Sequence, residues 1–471
     1  MPHEPHHLPE ESLDPDALAV LQRRKLAALM AEVRQHNPFY REKLRNVRFD
    51  PLTDPIDTLP FTIRAEIEQD HAANPPYGTN LTYPLQRYRR FHQTSGTGGR
   101  PVRWLDTAES WAWWEKCWRI IFTAAGVSEQ DRVFFPFSFG PFIGFWAAFE
   151  SAVSLGCLAI PAGGLSTTSR LKMVLDNQAG VICCTPTYAL HMAEVAAAEG
   201  IDIRNSAVRA IIVAGEPGGN IPATRQRIES AWGARVHDHS GMTEMGALSF
   251  ECQPHPGGLH VIESEFIAEC IDPQTLQPVP DGEQGELVLT NLGRVGSPLI
   301  RYRTGDQVRL VRGRCDCGRC FARLQGGILG RVDDMFIVRG NNVFPTAVEA
   351  VLRRFAEVAE FRVTVHGDRA LAQVSIEIEP AAPPTGWTDS TGSTSSPQAS
   401  SPQASSPQAG STPASARQAQ PEVDRAALAH RVARAVQETL NFRADVTAVA
   451  PGTLPRFEMK ARRFVRVRDG T

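Results

Sequence analysis

The sequence predicts an α/β protein, with a large multi-layered amino-terminal domain over residues 17–330 and a smaller α+β carboxy-terminal domain over residues 331–471. Three observations point to it. At 471 residues the chain is too long to fold around one ordinary core. Between about residues 85 and 310, short β-branched and aromatic runs alternate with helical patterns, as in a layered domain built on a largely parallel sheet. After Arg331 the texture changes to a few short strands and two helical segments.

Taken in order, residues 1–16 are acidic and rich in Pro and His, and are expected to be disordered. Leu18, Leu21, Leu26, Leu29, Met30 and Val33 then recur at helical spacing until Asn37-Pro38 stops the pattern. The runs 133–135, Val181–Cys184 and 211–213 read as buried strands, with helices over 187–198 and Pro222–Trp232 between them. Asp281-Gly282-Glu283-Gln284-Gly285 is a turn ahead of a strand at 286–290. The carboxy-terminal unit should hold a helix over 345–355, a strand pair around 361–365 and 371–378, a helix over 426–440 and a final strand. At about 381–420 it is interrupted by an insert carrying three tandem copies of Ser-Ser-Pro-Gln-Ala. Such a composition buries too little apolar surface to offset backbone ordering, so the insert is expected to be disordered.

Composition excludes several classes. A formal charge of −3, without a long Lys or Arg run, argues against nucleic acid as a partner. No segment has the length and apolarity of a membrane span, and the start lacks the apolar core of a secretory signal, so a cytoplasmic protein is expected. Nine cysteines over this length are too few for a disulfide scaffold.

Four segments carry the chemistry. Thr94-Ser95-Gly96-Thr97-Gly98-Gly99-Arg100-Pro101 combines hydroxyls, glycines that let backbone N–H groups approach, and a guanidinium, the donor set that phosphate oxygens require. Its spacing is neither that of a P-loop nor that of a dinucleotide fingerprint. Ala214-Gly215-Glu216-Pro217 follows an apolar strand, and Ser240-Gly241-Met242-Thr243-Glu244 ends on a carboxylate of the kind a phosphate-bound magnesium ion accepts. Glu244 also suits a helix start, where a carboxylate satisfies free N–H groups. Tyr302-Arg303-Thr304-Gly305-Asp306 ends on a carboxylate whose two acceptor oxygens match a vicinal diol.

Together these segments resemble, in order and interval, the acyl-adenylate-forming superfamily. Gly330-Arg331-Val332-Asp333-Asp334, Arg339-Gly340-Asn341-Asn342-Val343-Phe344-Pro345 and Asn37-Pro38-Phe39-Tyr40-Arg41 narrow the resemblance to the phenylacetate–coenzyme A ligases. The resemblance implies an adenylating amino-terminal domain and a mobile carboxy-terminal domain that pivots at Asp333. It makes the 94–100 loop a phosphate cradle and sets Gly215, Glu216, Pro217, Ser240 and Gly241 around adenine. Asp306 and Arg331 are then nucleotide contacts, Thr243 meets the α-phosphate, and Glu244 holds Mg²⁺. Lys460, downstream of Pro451-Gly452-Thr453-Leu454-Pro455-Arg456, becomes the adenylation lysine. The chain departs from the family pattern at Gly98 (usually Thr), Arg100 (usually Lys), Ser240 (usually Tyr) and Met459 (usually Gly).

Cys315-Asp316-Cys317-Gly318-Arg319-Cys320 packs three thiols into six residues, with Cys252, His255 and His260 upstream. Thiolates and imidazoles in tetrahedral number suit structural Zn²⁺. The resemblance favours Cys252, His260, Cys315 and Cys317 as ligands, with Cys320 as a substitute.

The function implied is an ATP-dependent ligase that turns an aromatic, phenylacetate-like acid into its acyl-adenylate and then its coenzyme A thioester. Phe137, Phe139, Phe142 and Ile143 are the candidate acid pocket. The cofactor set is ATP, Mg²⁺ and coenzyme A with structural Zn²⁺, and a homodimer is compatible with this reading. Two other readings are open on sequence: transfer of the acyl group to a carrier protein or amine, and a zinc-containing binding protein without catalysis.

Overall fold

The computed structural model describes residues 8–94, 101–332, 334–338, 341–367, 373–381, 424–457 and 461–467. The insert expected at 381–420 lies outside them from residue 382 onward. Among the described residues no helix is long and apolar enough to cross a membrane.

A five-stranded parallel sheet forms the centre of the amino-terminal part, in the order Leu158–Pro161, Arg132–Phe135, Val181–Cys184, Ala210–Val213, Arg235–Asp238. Its side chains alternate between two cores, as the pleat demands. Val133, Phe135, Cys183 and Ile212 join one core, with the tryptophans of helix Ala108–Ala124. Phe134, Ile182, Ile211 and Val236 join the other, under helices Pro186–Glu199 and Pro222–Trp232. Both faces of the three central strands are covered, which is why 133–135, Val181–Cys184 and Ala210–Val213 read as apolar runs.

A second sheet of seven strands is antiparallel and includes Phe266–Ile271, Gln284–Asn291 and Tyr302–Val311. The opening helix, Pro15–His36, ends where Asn37 takes over as cap of the next helix and accepts the Tyr40 amide at 3.1 Å. Buried Tyr40 then accepts the Ile300 amide at 2.8 Å, docking this segment on the second sheet.

From Phe336 onward the chain builds a hairpin, then a four-stranded sheet ordered Asp445–Ala448, Gln373–Pro380, Val358–His366, Phe464–Val467. Helices Pro345–Leu352 and Arg425–Leu440 cover it around a core of Val348, Phe361, Ile376 and Val432.

One expectation fails. Residues 8–14 are docked rather than disordered, because one of their carboxylates finds a buried partner. Glu11 is 1% exposed and receives Nε and Nη2 of Arg319 at 2.8 and 2.6 Å. The turn carrying Glu11 is thereby clasped to the cysteine-rich loop.

Candidate active site

Loops that follow parallel strands gather at the carboxyl edge of the sheet, where α/β folds hold their ligands. Two of the sequence candidates lie on such loops, on neighbouring strands. Gly215, Glu216 and Pro217 follow strand Ala210–Val213, with Gly215 at φ +93°, a left-handed turn that glycine makes without penalty. Ser240, Gly241, Thr243 and Glu244 follow strand Arg235–Asp238. Gly241–Met242 pairs with Gly246–Ala247, so Glu244 stands at the tip of a tight hairpin and not at a helix start.

That hairpin is held from beneath by an ion pair the sequence did not disclose. Arg294 and Asp106 are each 0% exposed and share two hydrogen bonds of 2.7 Å. The remaining arm of Arg294 donates to the carbonyls of Thr243 (2.6 Å) and Glu244 (2.9 Å). Its guanidinium lies over the rings of Trp104 and Trp114, at 5.4 and 5.3 Å. A planar, always-charged fork suits this double task in a way lysine would not.

Above the hairpin runs strand Tyr302–Val311. Tyr302, Thr304 and Asp306 share its buried face. The Tyr302 hydroxyl donates to Glu244 Oε1 at 3.3 Å, and burial pushes that phenol well above its ordinary pKa, with Glu244 adding to the effect. Asp306 accepts Arg331 Nη1 at 3.2 Å across the register that sets the two residues opposite one another. A small cavity lies beside Tyr302 and Glu244, lined by both and by Arg64, Ile67, Thr94, Val102 and Trp104.

Thr94 and Val102 exchange backbone and hydroxyl hydrogen bonds of 2.9 and 3.0 Å, closing the base of the 95–101 connection between two antiparallel strands. Thr94 and Val102, which flank the glycine-rich segment in the sequence, both line the cavity. Arg64 is a further residue that sequence reasoning missed. Thr62 pairs with Tyr302, which sets the following helix, Arg64–Ala73, against the cavity. Glu68 accepts Nε of Arg64 at 2.7 Å; burial works to lower the guanidinium pKa, but this hydrogen bond and then the nearby Glu244 charge raise it.

Ser240 does not offer an aromatic face. Its hydroxyl lies 2.6 Å from that of Ser249. Of the four pocket candidates, Phe137 and Ile143 are buried in the core, while Phe139 and Phe142 are half-buried. Phe139 packs on Trp146 at 4.5 Å, and the Trp146 indole donates to the Gly140 carbonyl at 2.8 Å. Ser95, Gly96, Thr97, Gly98, Gly99, Arg100, Asp333 and Lys460 lie outside the described residues.

Ligand atoms of Cys252, His260, Cys315 and Cys317 all lie within 4.8 Å of one another. Cys252 and Cys315 have their sulfurs 3.8 Å apart, and Cys317 Sγ is 3.5 Å from His260 Nε2. Zinc bonds of about 2.3 Å to sulfur and about 2.0 Å to nitrogen make tetrahedral edges of about 3.8 and about 3.5 Å, so the donor set fits that ion. His260 Nδ1 lies 2.9 Å from the Phe321 carbonyl, which fixes the ring and leaves Nε2 as the ligand. Hydrogen bonding to Cys252, and then to His260, holds the Cys317 thiol far below its usual pKa, toward the thiolate that metals bind. Cys320 is half-buried and stands outside this cluster.

An AMP-binding enzyme model matches residues 92–293, and an AMP-binding enzyme C-terminal domain model matches residues 414–468. Among solved structures, 2-hydroxyisobutyryl-CoA ligase in the postadenylation state with 2-HIB-AMP is 26% identical, with a TM-score of 0.85 over 99% of this chain and 95% of that one. For the same ligase with 2-HIB-AMP and CoA in the thioesterification state, identity and coverage are the same and the TM-score is 0.67. The phenylacetate-coenzyme A ligase of Thermus thermophilus is 30% identical over 466 residues, covering 97% of this chain and 98% of the relative. Similarity at this level along nearly all of both sequences places the protein: it belongs to the phenylacetate-coenzyme A ligase family of AMP-binding enzymes.

Proposed function

We propose that the protein activates an aromatic, phenylacetate-like carboxylic acid with ATP and passes the acyl group to coenzyme A. The observation that carries this reading is the convergence of the Thr94 loop base, Glu244 and Arg64 on one cavity, under the strand that bears Asp306. In the first half-reaction the substrate carboxylate attacks the α-phosphorus and pyrophosphate leaves with the electron pair of the broken P–O bond. Thr243, the 94–100 loop, Arg64 and Lys460 meet the negative charge that develops there. Asp306 accepts the ribose hydroxyls, and the backbone of the Gly215-Glu216-Pro217 loop flanks adenine, while the Glu216 carboxylate is turned to the Thr187 and Ala461 amides. In the second half-reaction the coenzyme A thiolate attacks the acyl carbonyl and AMP departs.

Glu244, at the hairpin tip with Oε1 accepting from Tyr302, would hold Mg²⁺, which would supply phosphate charge neutralisation when bound. A zinc ion on Cys252, His260, Cys315 and Cys317 would be structural, since four protein ligands leave no position for water. The half-buried pair Phe139 and Phe142, with Trp146, supports an aromatic acid. The cytoplasm is the compartment that this substrate set and these free thiols favour.

ATP–pyrophosphate exchange across phenylacetate, benzoate and 2-hydroxyisobutyrate tests the acid, and thioester formation with free coenzyme A tests the acceptor. Exchange is expected to be fastest with an aromatic acid. Fastest exchange with 2-hydroxyisobutyrate would overturn the aromatic assignment, and exchange without thioester would overturn the acceptor.

The Arg294–Asp106 pair gives a prediction of its own. Asp106→Ala strands a buried guanidinium and should cost about 3–5 kcal/mol in a denaturant titration. The double change Asp106→Leu with Arg294→Met should recover most of that stability, because apolar replacements of similar volume are tolerated. Exchange activity should nevertheless stay low, since nothing then holds the Thr243 and Glu244 carbonyls. Full activity in the stable double variant would remove the pair from any positioning role.

A further inference from the structure

Glu216 reaches across a boundary in the molecule. Its Oε1 accepts the Thr187 amide at 2.9 Å, in the first turn of helix Pro186–Glu199. Its Oε2 accepts the Ala461 amide at 2.7 Å. Ala461 follows Lys460 directly in the sequence. Thr187 completes the bridge, because its hydroxyl receives Arg463 Nη2 at 3.0 Å. Arg463 is 4% exposed and is fixed from its own side by Glu360, at 2.6 and 3.0 Å. So a carboxylate and a hydroxyl of the parallel-sheet part grip the backbone and the guanidinium of the segment that carries Lys460. Two outer contacts, Arg456 with Glu194 at 3.4 Å and Arg227 Nη1 on the Val358 carbonyl at 3.1 Å, join the same two parts.

We propose that Glu216 is a positioning residue for adenylate formation, acting through the Ala461 amide on the segment that bears Lys460. The inference rests on the ligase reading above. The molecule matches its solved relative at a TM-score of 0.85 in the postadenylation state and 0.67 in the thioesterification state, so these grips belong to an arrangement close to the first. A carboxylate is suited to the task because it accepts two N–H groups at once, one on each oxygen, with charge assistance. An amide in its place keeps the shape and loses one of the two acceptors.

Glu216→Gln is therefore expected to slow ATP–pyrophosphate exchange about tenfold, the loss of one charge-assisted hydrogen bond. The loss should fall on kcat, with KM for ATP unchanged. Thioester formation from supplied acyl-adenylate and coenzyme A should keep at least the parental rate, since that step does not need the grip. Thr187→Val, which removes the Arg463 partner without touching Glu216, should shift the two half-reactions the same way. Thermal unfolding of both variants should stay within a few degrees of the parent. A raised KM for ATP with unchanged kcat would make Glu216 a nucleotide contact instead, and equal loss in both half-reactions would make it merely structural. Parental protein with no exchange on any acid would instead refute the ligase reading, which keeps the two failures distinct.

Discussion

Lys460→Ala is expected to slow adenylate formation by about 10²–10³-fold while sparing thioester formation from supplied acyl-adenylate. The asymmetry follows from where charge develops. Pyrophosphate leaves only in the first half-reaction, so in its proposed role the Lys460 charge stabilises that transition state alone. The segment on either side of Lys460 is anchored, by Arg456 on Glu379 at 2.6 Å and by the Ala461 amide on Glu216. Truncating the side chain should therefore leave the segment where it is. Measuring pyrophosphate exchange and single-turnover thioester formation side by side tests this. Loss of both in equal measure would mean that Lys460 is structural.

Replacing Cys315 and Cys317 together by Ser should release about one zinc per chain and lower stability by about 4 kcal/mol or more. Metal binding energy is folding energy at such a site, and the cluster joins two distant stretches, around Cys252 and around Cys315. Cys320→Ser should change neither zinc content nor melting temperature, because Cys320 stands outside the cluster. Metal analysis and thermal unfolding read both outcomes. Metal-free protein of unaltered stability would end the zinc proposal.

Much of this fold was legible because buried parallel strands announce themselves: Val181–Cys184 is apolar at every position, and each of its residues is buried. The family resemblance, rather than spacing, favoured Cys252, His260, Cys315 and Cys317 over Cys320, and the structure brings those four side chains together. What escaped had no local signature. Asp106 and Arg294 are 188 positions apart, and a single charged residue in an apolar context normally reads as surface. Only the fold brings them into register. Arg64 was hidden for a related reason, since its importance comes from Thr62 pairing with Tyr302. The pocket phenylalanines split because periodicity cannot tell a core ring from a cavity wall. Phe137 went to the core, and Phe139 to its edge.

The clasp between Glu11 and Arg319 sets a timetable. Its partners are separated by 308 residues, so on the ribosome the acidic turn is made early and must wait for its cation. At roughly 5–20 residues per second that wait is about 15–60 s. For nearly all of it the cysteines at 315 and 317 have not yet been synthesised, and Cys252 and His260 emerge without them. The turn at residues 9–12 can make this contact only after the cysteine-rich loop exists, so a segment made early is among the last to reach its final place.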